Sequence, residues 1–418
     1  MKTWFSGFMQ RTFTSLSIRN YRLFFYGQAI SQTGSWAQTV AQGLLVLMLT
    51  GSGTALGIVT ALQTIPVLIL GAWGGVLVDR YPKRKLLYMT QIAGGLISLL
   101  IGVLVITNTI ELWMVFFTSF LNGLIKVVDN PARQTFVREM VGNDHLVNAV
   151  SLNSMTMNLA RVIGPAMAGV LVATVGIGEC FILDGLSFGA VIFTLWKMRE
   201  DELHPGRIVT RAKGQMREGW DYVRREPVIR NILIMMTIIG TFTYEFSVTL
   251  PLLAEFTFDN GASGYATLTS AMGVGAVIGG LYVAGKNRGS AAKLVSIAAM
   301  FGAAVVFVSF SPTFALAVLG MVVVGFFSIS FTSLANSTIQ LTSRPDMQGR
   351  VMSFWSMSFL GTTPIGGPIM GAVGEHAGAR MALFLGGIAA FAAAGMGLYT
   401  MRLQRRTENR ENIIEVAD

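Results

Sequence analysis

The feature that most restricts the fold of this chain is a series of long apolar runs, each about 20 residues long. A helix of that length crosses the roughly 30 Å hydrocarbon core of a bilayer. Short loops that hold most of the charged residues separate the runs. We therefore predict an all-α polytopic membrane protein with twelve transmembrane helices. The predicted helices lie at approximately 22–49, 54–78, 86–106, 111–137, 145–175, 179–197, 229–256, 262–285, 292–310, 313–341, 349–374 and 380–402.

The composition also separates this chain from soluble proteins. It is 52% hydrophobic and 13% charged, with a mean hydropathy of +0.59, far from the balance of a soluble domain. A net charge of +9 would suggest nucleic acid in a soluble chain, but here the bases lie in short loops. A single cysteine, Cys180, excludes an intramolecular disulfide and a thiolate metal site. We expect no cofactor, no metal, no nucleic-acid partner and no enzymatic activity.

The distribution of basic residues predicts the orientation in the membrane. With both termini in the cytoplasm, 28 of the 31 Lys and Arg residues fall in cytoplasmic segments, as the positive-inside rule requires. Lys126 and Arg161 lie inside predicted helices, and Arg380 faces outward. The first 22 residues are basic and amphipathic and lack the apolar core of a cleavable signal peptide.

Three short patterns recur at a single spacing of about 205 residues, which predicts two six-helix pseudo-repeats in parallel. The pairs are Gly74-Gly75 with Gly279-Gly280, Asn130 and Gln134 with Asn336 and Gln340, and Gly164-Pro165 with Gly367-Pro368. The predicted domains are an N-terminal six-helix bundle (1–197), a cytoplasmic linker (198–228), a C-terminal six-helix bundle (229–402) and a cytoplasmic tail (403–418).

The linker and the tail are predicted to lie outside the bilayer. In the linker, Met216, Trp220 and Val223 fall at i, i+4 and i+7. This spacing predicts a short helix with one apolar face for the membrane interface, which could act as a latch. The tail is polar, and we expect it to be frayed.

Polar residues follow one face of several apolar helices. Such a stripe faces either a neighbouring helix or water, because lipid offers no hydrogen-bond partners to its polar groups. For a single Ser or Thr, the contact with a neighbouring helix and the contact with water both remain open. The stripes comprise Gln28, Gln32, Ser35, Thr39 and Gln42 in the first helix, Ser119, Asn122, Lys126, Asp129 and Arg133 in the fourth, and Ser151, Ser154, Asn158 and Arg161 in the fifth. A further stripe, in the tenth helix, comprises Ser330, Ser333, Ser337 and Gln340. The glutamines and charges favour a central cavity.

Ionisable residues at membrane depth indicate a functional site more strongly than the polar stripes do, because a charge is energetically costly there and is usually functional. Glu245 lies near the middle of the predicted seventh helix, and Asp184 lies in the sixth. A carboxyl at that depth can take up or release a proton as a site alternates between the two sides. We expect proton coupling through Glu245 and Asp184. The alternative is a fixed ion pair of either acid with Arg161 that holds the helices together.

The loop after the second helix, 74–85, combines glycines that permit close helix contact with charges that cannot enter lipid. It resembles the loop signature of the major facilitator superfamily, G-x-L-x-D-R-x-G-R-K, although Pro82 stands where the family has glycine. The matching residues are Gly75, Leu77, Asp79, Arg80, Lys83 and Arg84. The resemblance implies the major facilitator fold, in which two six-helix halves rock about a site at the membrane midplane.

Other motifs indicate a particular branch within this superfamily. The run 160–169 is similar to the drug/proton antiporter signature G-x-x-x-G-P-x-x-G-G through Gly164, Pro165 and Gly169. In contrast, Ser119 stands where the family's fourth-helix signature R-x-x-Q-G has an arginine that is tied to proton movement. The runs 129–134 and 344–353 resemble the branch that holds enterobactin exporters and macrolide efflux proteins.

The resemblance also implies roles for particular residues. Asp79 is expected to be a conformational latch, with Arg133 or Arg350 as its partner. The whole set of switch residues is Gly75, Asp79, Arg80, Arg84, Asp129, Arg133, Gly164 and Pro165. In this family the first, fourth, seventh and tenth helices line the central cavity. The expected cavity residues are Gln28, Gln32, Trp36, Asn122, Asn158, Arg161, Tyr244 and Glu245.

Together with these patterns, the resemblance implies a multi-pass transporter of the bacterial inner membrane that exports a bulky amphipathic drug or siderophore in exchange for protons. We expect a monomer whose partners are its small-molecule substrate, protons and the lipid bilayer. Two alternatives remain open. The first is a flippase of lysophospholipid-like molecules, or an importer; the second is a membrane receptor or assembly protein that uses a transporter fold without transport.

Overall fold

The computed structural model describes residues 14–142, 144–204, 215–284, 291–344 and 347–417. In these ranges the chain forms fifteen α-helices and two short 3-10 turns, Thr14–Ser17 and Glu200–Glu202, and contains no strand. The N-terminal group of helices comprises α1 (Arg19–Thr50), α2 (Gly53–Arg80), α3 (Lys83–Ile106), α4 (Leu112–Val141), α5 (Leu146–Thr174) and α6 (Ile177–Lys197). A short helix, α7 (Gln215–Arg225), follows. The C-terminal group comprises α8 (Pro227–Phe242), α9 (Phe246–Phe256), α10 (Gly261–Ala284), α11 (Ala291–Ser309), α12 (Phe314–Thr342), α13 (Gln348–Leu360), α14 (Thr363–His376) and α15 (Ala379–Ala417).

Ten segments of the described chain are long and apolar enough to cross a membrane, one of them continuing from α8 through α9. Two of the twelve predicted spans are not among the ten. The helix α1 is 32 residues long, but its stripe of glutamines and hydroxyl residues lowers its hydropathy. The predicted span 349–374 is divided into α13 and α14, of 13 and 14 residues, and neither piece alone is long enough.

Two predicted helices are therefore wrong as continuous helices. The predicted seventh helix is interrupted at residues 243–245, where Thr243 Oγ1 donates to Gly386 O at 2.7 Å and Tyr244 OH donates to Ser328 O at 2.8 Å. The predicted eleventh is interrupted at Gly361 and Thr362. Irregular backbone at membrane depth is tolerated where protein surrounds it or where it lines a cavity.

The last helix is longer than predicted. The sequence places its end near residue 402, but α15 continues to Ala417, so the residues expected to form a frayed tail are helical. The linker helix is present as α7, and Val223 on its predicted apolar face is buried. Met216 lies in α7, but its side chain is outside the described part of the structure.

Consecutive long helices run in opposite directions, so the bundle has two ends. Gln42 near the end of α1 bonds with Gln63 in α2, and Gly43 lies beside Leu56, which sets these two helices antiparallel. We call the end where α1 passes into α2 the Gly51 end. The opposite end, where α2 passes into α3, is the Pro82 end.

Glycines allow the helices within each group to touch at the level of the backbone. A Cβ on Gly74 of α2 would lie 2.1 Å from Val127 O of α4. In the C-terminal group a Cβ on Gly279 of α10 would lie 2.3 Å from Phe326 O of α12. Small residues have this role in membranes because lipid supplies no hydrophobic force between helices. The two glycines, which belong to one repeated sequence pattern, thus make equivalent contacts in the two groups.

The contacts between the two groups are concentrated toward the Gly51 end. A Cβ on Gly57 of α2 would lie 2.3 Å from Gly367 O of α14, and one on Gly371 would lie 2.2 Å from Gly53 O. The helices α5 and α10 form a second contact, in which Ser270 Oγ donates to Val162 O at 3.2 Å. The Gly51 end is therefore closed.

The packing of α10 against α12 gives a test of the fold. We expect Gly275→Ala to lower the thermal unfolding midpoint in detergent, because its Cβ would lie 1.8 Å from Val322 O; overpacking of this kind costs about 1–3 kcal/mol. The control is Gly71→Ala in α2, where no atom of another described helix lies within 4 Å of the added Cβ. Equal midpoints for the two variants would contradict the described packing.

Candidate functional site

A cavity of about 440 Å³ lies between the two groups of helices. Residues of α1 and α5 form one wall, and residues of α9, α10, α12, α13 and α14, together with the break between α8 and α9, form the other. Its aromatic lining residues are Trp36, Tyr244, Phe246, Tyr265, Trp355 and Phe359. Hydroxyl and amide groups come from Thr39, Ser247, Thr269, Ser328, Thr332, Ser333, Asn336 and Thr363. We call this space the main cavity.

Arg161 is the one charged residue among the described residues that line the main cavity. Its guanidinium lies over the Trp36 ring, with Cζ 5.0 Å from the ring centroid. Its Nε is shielded from solvent and has no hydrogen-bond partner among the described residues. Within the described chain Arg161 makes no ion pair with Glu245 or Asp184, so the alternative of a fixed pair is not formed here.

The break between α8 and α9 places an aromatic group on the cavity wall. Tyr244 is fixed to α12 through both the carbonyl and the hydroxyl of Ser328, at 2.8 and 3.2 Å. Its ring packs against Phe246, Phe301 and Phe359 with centroid distances of 5.5 to 6.3 Å. Broken helices near the midplane commonly form the binding sites of transporters.

Glu245 differs from its expected position. It does not line the main cavity but is buried behind it, with 2% of its surface exposed. The reason is the break in the helix, which turns the side chain toward α14. A Cβ on Gly366 would lie 2.9 Å from Glu245 Oε1. That oxygen has no hydrogen-bond partner in the described chain.

A second, polar cavity of about 170 Å³ lies among α1, α2, α3, α4 and α6. The expected cavity residues Gln28, Gln32 and Asn122 line it. Asp184 also lines it and is buried; its Oδ1 accepts from Ser35 at 3.0 Å, and its Oδ2 accepts from Ser98 at 2.9 Å. Thr39 lines both cavities, so they meet at α1.

Amide side chains connect Lys126 of α4 to the helices around the polar cavity. Lys126 Nζ donates to Gln63 Oε1 at 3.1 Å, and Gln63 Nε2 donates to Gln42 Oε1 at 2.8 Å. Gln42 Nε2 in turn donates to Ser119 Oγ at 2.8 Å. The polar stripes of the first and fourth predicted helices thus face each other across this cavity.

Asp129 and Arg133 form an ion pair on α4, 3.1 Å apart. Asp129 Oδ1 also accepts from Thr90 and Gln91, both at 2.8 Å. Arg133 also donates to Gln28 Oε1 at 3.2 Å. Two predicted switch residues therefore connect α1, α3 and α4 of a single group.

The signature loop at the Pro82 end contacts its own group of helices. Arg84 donates to Leu195 O at 2.9 Å and pairs with the Glu200 carboxylate. Lys83 pairs with Glu139 at 2.9 Å. Arg80 is exposed. These contacts attach the start of α3 to α4, to the end of α6 and to the turn that follows it.

The remaining predicted residues fall at different places. Gly164 and the buried Pro165 lie in α5 against α1, and a Cβ on Gly164 would lie 2.5 Å from the Trp36 Cβ. Gly75 is half-buried in α2. Asn158 is half-buried in α5 and lines neither cavity, which corrects its expected place.

The side chain of Asp79, the expected latch, lies outside the described part of the structure. Its two suggested partners are both engaged elsewhere. Arg133 pairs with Asp129, and Arg350 pairs with Glu218 of α7 at 2.8 Å. The α7 face that was expected to meet the membrane instead packs on α13, where Trp220 and Phe354 have ring centroids 5.8 Å apart.

Glu375 at the Gly51 end was missed in the sequence. Its Oε2 accepts from Ser52 Oγ at 2.7 Å, from Thr54 N at 2.9 Å and from Thr54 Oγ1 at 2.6 Å. These bonds attach the end of α14 to the start of α2, beside the glycine contact. An acid at a helix end has no sequence signal for partners more than 300 residues away.

Comparisons with known sequences agree with this architecture. The chain is 23% identical over 347 residues to the staphyloferrin A transporter of Staphylococcus aureus, covering 80% of this chain and 82% of that protein. It is 26% identical over 371 residues to the multidrug efflux pump Tap of Mycolicibacterium fortuitum, covering 85% and 90%. It is 24% identical over 367 residues to the enterobactin exporter EntS of Citrobacter koseri, covering 85% of each.

The fold matches solved transporter structures. A bacterial homologue of the human lysosomal transporter Spinster, in an inward-facing and unoccupied conformation, aligns with a TM-score of 0.72 and 12% identity over 92% of this chain and 96% of that one. The nucleoside transporter NupG aligns with a TM-score of 0.69 and 12% identity over 92% of this chain and 99% of that one.

A family model described as a transmembrane secretion effector matches residues 10–415, nearly the whole chain. The sequence relatives described above are transporters of the major facilitator type. The chain therefore belongs to the transmembrane secretion effector family of the major facilitator superfamily, and it is a multi-pass membrane transporter rather than an enzyme.

Proposed function

We propose that this protein exports a bulky amphipathic molecule, of the siderophore or lipophilic-drug type, from the bacterial cytoplasm by alternating access and in exchange for protons. The observation that carries the proposal is the main cavity, which lies between two groups of helices whose mutual contacts are concentrated at the Gly51 end. A cavity of about 440 Å³ is within the usual range for small-molecule sites.

The proposal treats the chain as twelve spans in two parallel six-helix repeats. In it α1 is a span despite its polar stripe, because that stripe faces a cavity rather than lipid. The segments α8 with α9, and α13 with α14, each count as one interrupted span. The domains are then 1–197, 198–228, 229–402 and 403–418. The Pro82 end carries most of the bases and faces the cytoplasm.

The location of the contacts at one end indicates which end must open for cargo to be released. With the Pro82 end on the cytoplasmic side, the conformation described here is closed to the outside. Release of cargo outward then requires α2 to separate from α14 and α5 from α10. Glycine-to-glycine backbone contacts and three hydrogen bonds to Glu375 are interactions that a monomer can break and re-form as two rigid halves rock.

Glu245 is the proposed proton carrier. It lies at the break between α8 and α9, is buried, and has one carboxylate oxygen to which no described residue donates. It also contacts α14, the helix that closes the Gly51 end. A change in the protonation of Glu245 would therefore alter a contact with α14 that must shift when the Gly51 end opens. Asp184 is the second candidate, although its two oxygens already accept hydrogen bonds from serines.

Joining the closed end covalently should stop transport. In a Thr54→Cys, Glu375→Cys double variant, a short bismaleimide reagent should link α2 to α14, because the native side chains are 2.6 Å apart. We expect no cargo flux in vesicles after linking. Each single variant, treated in the same way, should retain flux, and the buried Cys180 should not react. Full flux from the linked protein would rule out opening at this end.

Proton coupling is tested in vesicles with an imposed pH gradient, to which a catecholate siderophore, a carboxylate siderophore, a macrolide and a lipophilic dye are added singly. We expect at least one compound to collapse the gradient in the wild type. Glu245→Gln should reduce that collapse about tenfold or more, since the amide cannot carry a proton. The control is Glu255→Gln at an exposed position of α9.

The outcomes separate the proposal from its alternatives. Cargo flux with an undisturbed gradient in the wild type would remove proton antiport and leave Glu245 with a structural role. Flux of lysophospholipid alone would favour a lipid flippase. Absence of flux with all of these compounds would contradict the export function.

A further inference from the structure

We propose that the cargo is an anionic amphiphile whose acidic group is bound by Arg161, so that this side chain selects against cationic drugs. The inference rests on the proposed export function and assigns a charge class to the substrate. It comes from the charges that line the two cavities.

The charges in the polar cavity are balanced. Its lining includes two acids, Asp129 and Asp184, and two bases, Lys126 and Arg133. Asp129 and Arg133 are paired directly. Asp184 accepts hydrogen bonds from two serines, and Lys126 donates one to the amide oxygen of Gln63. This cavity therefore requires no charge from a ligand.

The charges that line the main cavity are not balanced. Its described lining residues contain one base, Arg161, and no acid. The guanidinium lies over Trp36, whose ring stabilises a cation but supplies no hydrogen-bond acceptor. The Arg161 Nε is buried and finds no partner in the part of the chain that the structure describes, and an unpaired buried charge is costly. An anion in this cavity would supply the missing partner and the missing acceptor.

The space around Arg161 indicates an organic anion rather than a small inorganic one. Six aromatic side chains line the same cavity, which holds about 440 Å³. An arginine fork binds planar acidic groups such as carboxylates with two parallel hydrogen bonds. The aromatic rings suit the apolar body of such a molecule. The cavity is thus suited to an acidic head and an aromatic or apolar body in one ligand.

Two dyes with the same ring system but opposite charge test this assignment. Fluorescein is an anion at neutral pH, rhodamine 123 is a cation, and both contain a xanthene ring. Binding of each dye to purified protein in detergent is measured by fluorescence anisotropy. We expect the wild type to bind fluorescein more tightly than rhodamine 123.

Three variants then isolate the charge of Arg161. Arg161→Gln should weaken fluorescein binding about tenfold or more, the usual effect of losing a hydrogen bond to a charged group, and should leave rhodamine 123 binding unchanged or tighter. Arg161→Lys keeps the charge but loses the two parallel donors of the guanidinium, so its affinity for fluorescein should fall between that of the wild type and that of Arg161→Gln. Arg22→Gln, at an exposed position of α1, should behave as the wild type.

The proposal is overturned if the wild type binds rhodamine 123 at least as tightly as fluorescein, if it binds neither dye, or if Arg161→Gln leaves fluorescein binding unchanged. Flux in vesicles separates this failure from that of the proposed function. Equal export of both dyes would leave the export function standing and remove the charge preference. Binding of fluorescein that depends on Arg161, with no flux of any compound, would keep the anion site and remove export.

Discussion

The direct backbone contact between α2 and α14 is the interaction on which the rest of the arrangement depends. In lipid, helices gain little from burying apolar side chains against each other, so close packing and hydrogen bonds must hold them together. The pairs Gly53 with Gly371 and Gly57 with Gly367 bring the two backbones together. Glu375 adds three hydrogen bonds at the end of the same contact. Because this contact and that of α5 with α10 concentrate the meeting of the two groups at one end, a cavity remains between them.

The lipid environment also determines how charged side chains are arranged. A charged group at membrane depth must be paired, satisfied by polar groups or exposed to water. The N-terminal group pairs or satisfies its charges around the polar cavity, where Asp129 meets Arg133 and Asp184 accepts from two serines. Arg161 and Glu245 are exceptions, since each has a buried atom with no partner within the described ranges. Both lie near the boundary between the two groups, where the proposed movement would change their partners.

The sequence predicted most of the helices and the family because those depend on local patterns. Apolar runs of sufficient length, the loop 74–85 and the Gly164-Pro165 motif are all readable in short windows. The breaks after Phe242 and after Leu360 were not predicted. They depend on contacts with distant residues, such as the bond from Thr243 to Gly386.

The candidate site was predicted unevenly for the same reason. Trp36, Arg161 and Tyr244 line the main cavity, and Arg161 was conspicuous in the sequence because it is a charged residue in an apolar helix. Trp355 and Phe359 were not predicted, because the sequence does not distinguish an aromatic residue that faces a cavity from one that faces lipid. Glu245 was expected on the cavity wall, and the unforeseen break in its helix turns it away from that wall.

The central claim is that the two ends of the bundle open alternately. Pulsed electron spin resonance on spin-label pairs in lipid nanodiscs tests it most directly. One pair, Thr109 and Pro312, spans the Gly51 end, and the other, Lys85 and Leu341, spans the Pro82 end; all four positions are exposed. On addition of fluorescein or mild acid, the account predicts that the distance at the Gly51 end lengthens as the distance at the Pro82 end shortens. Distances that stay fixed, or that lengthen together, would contradict it.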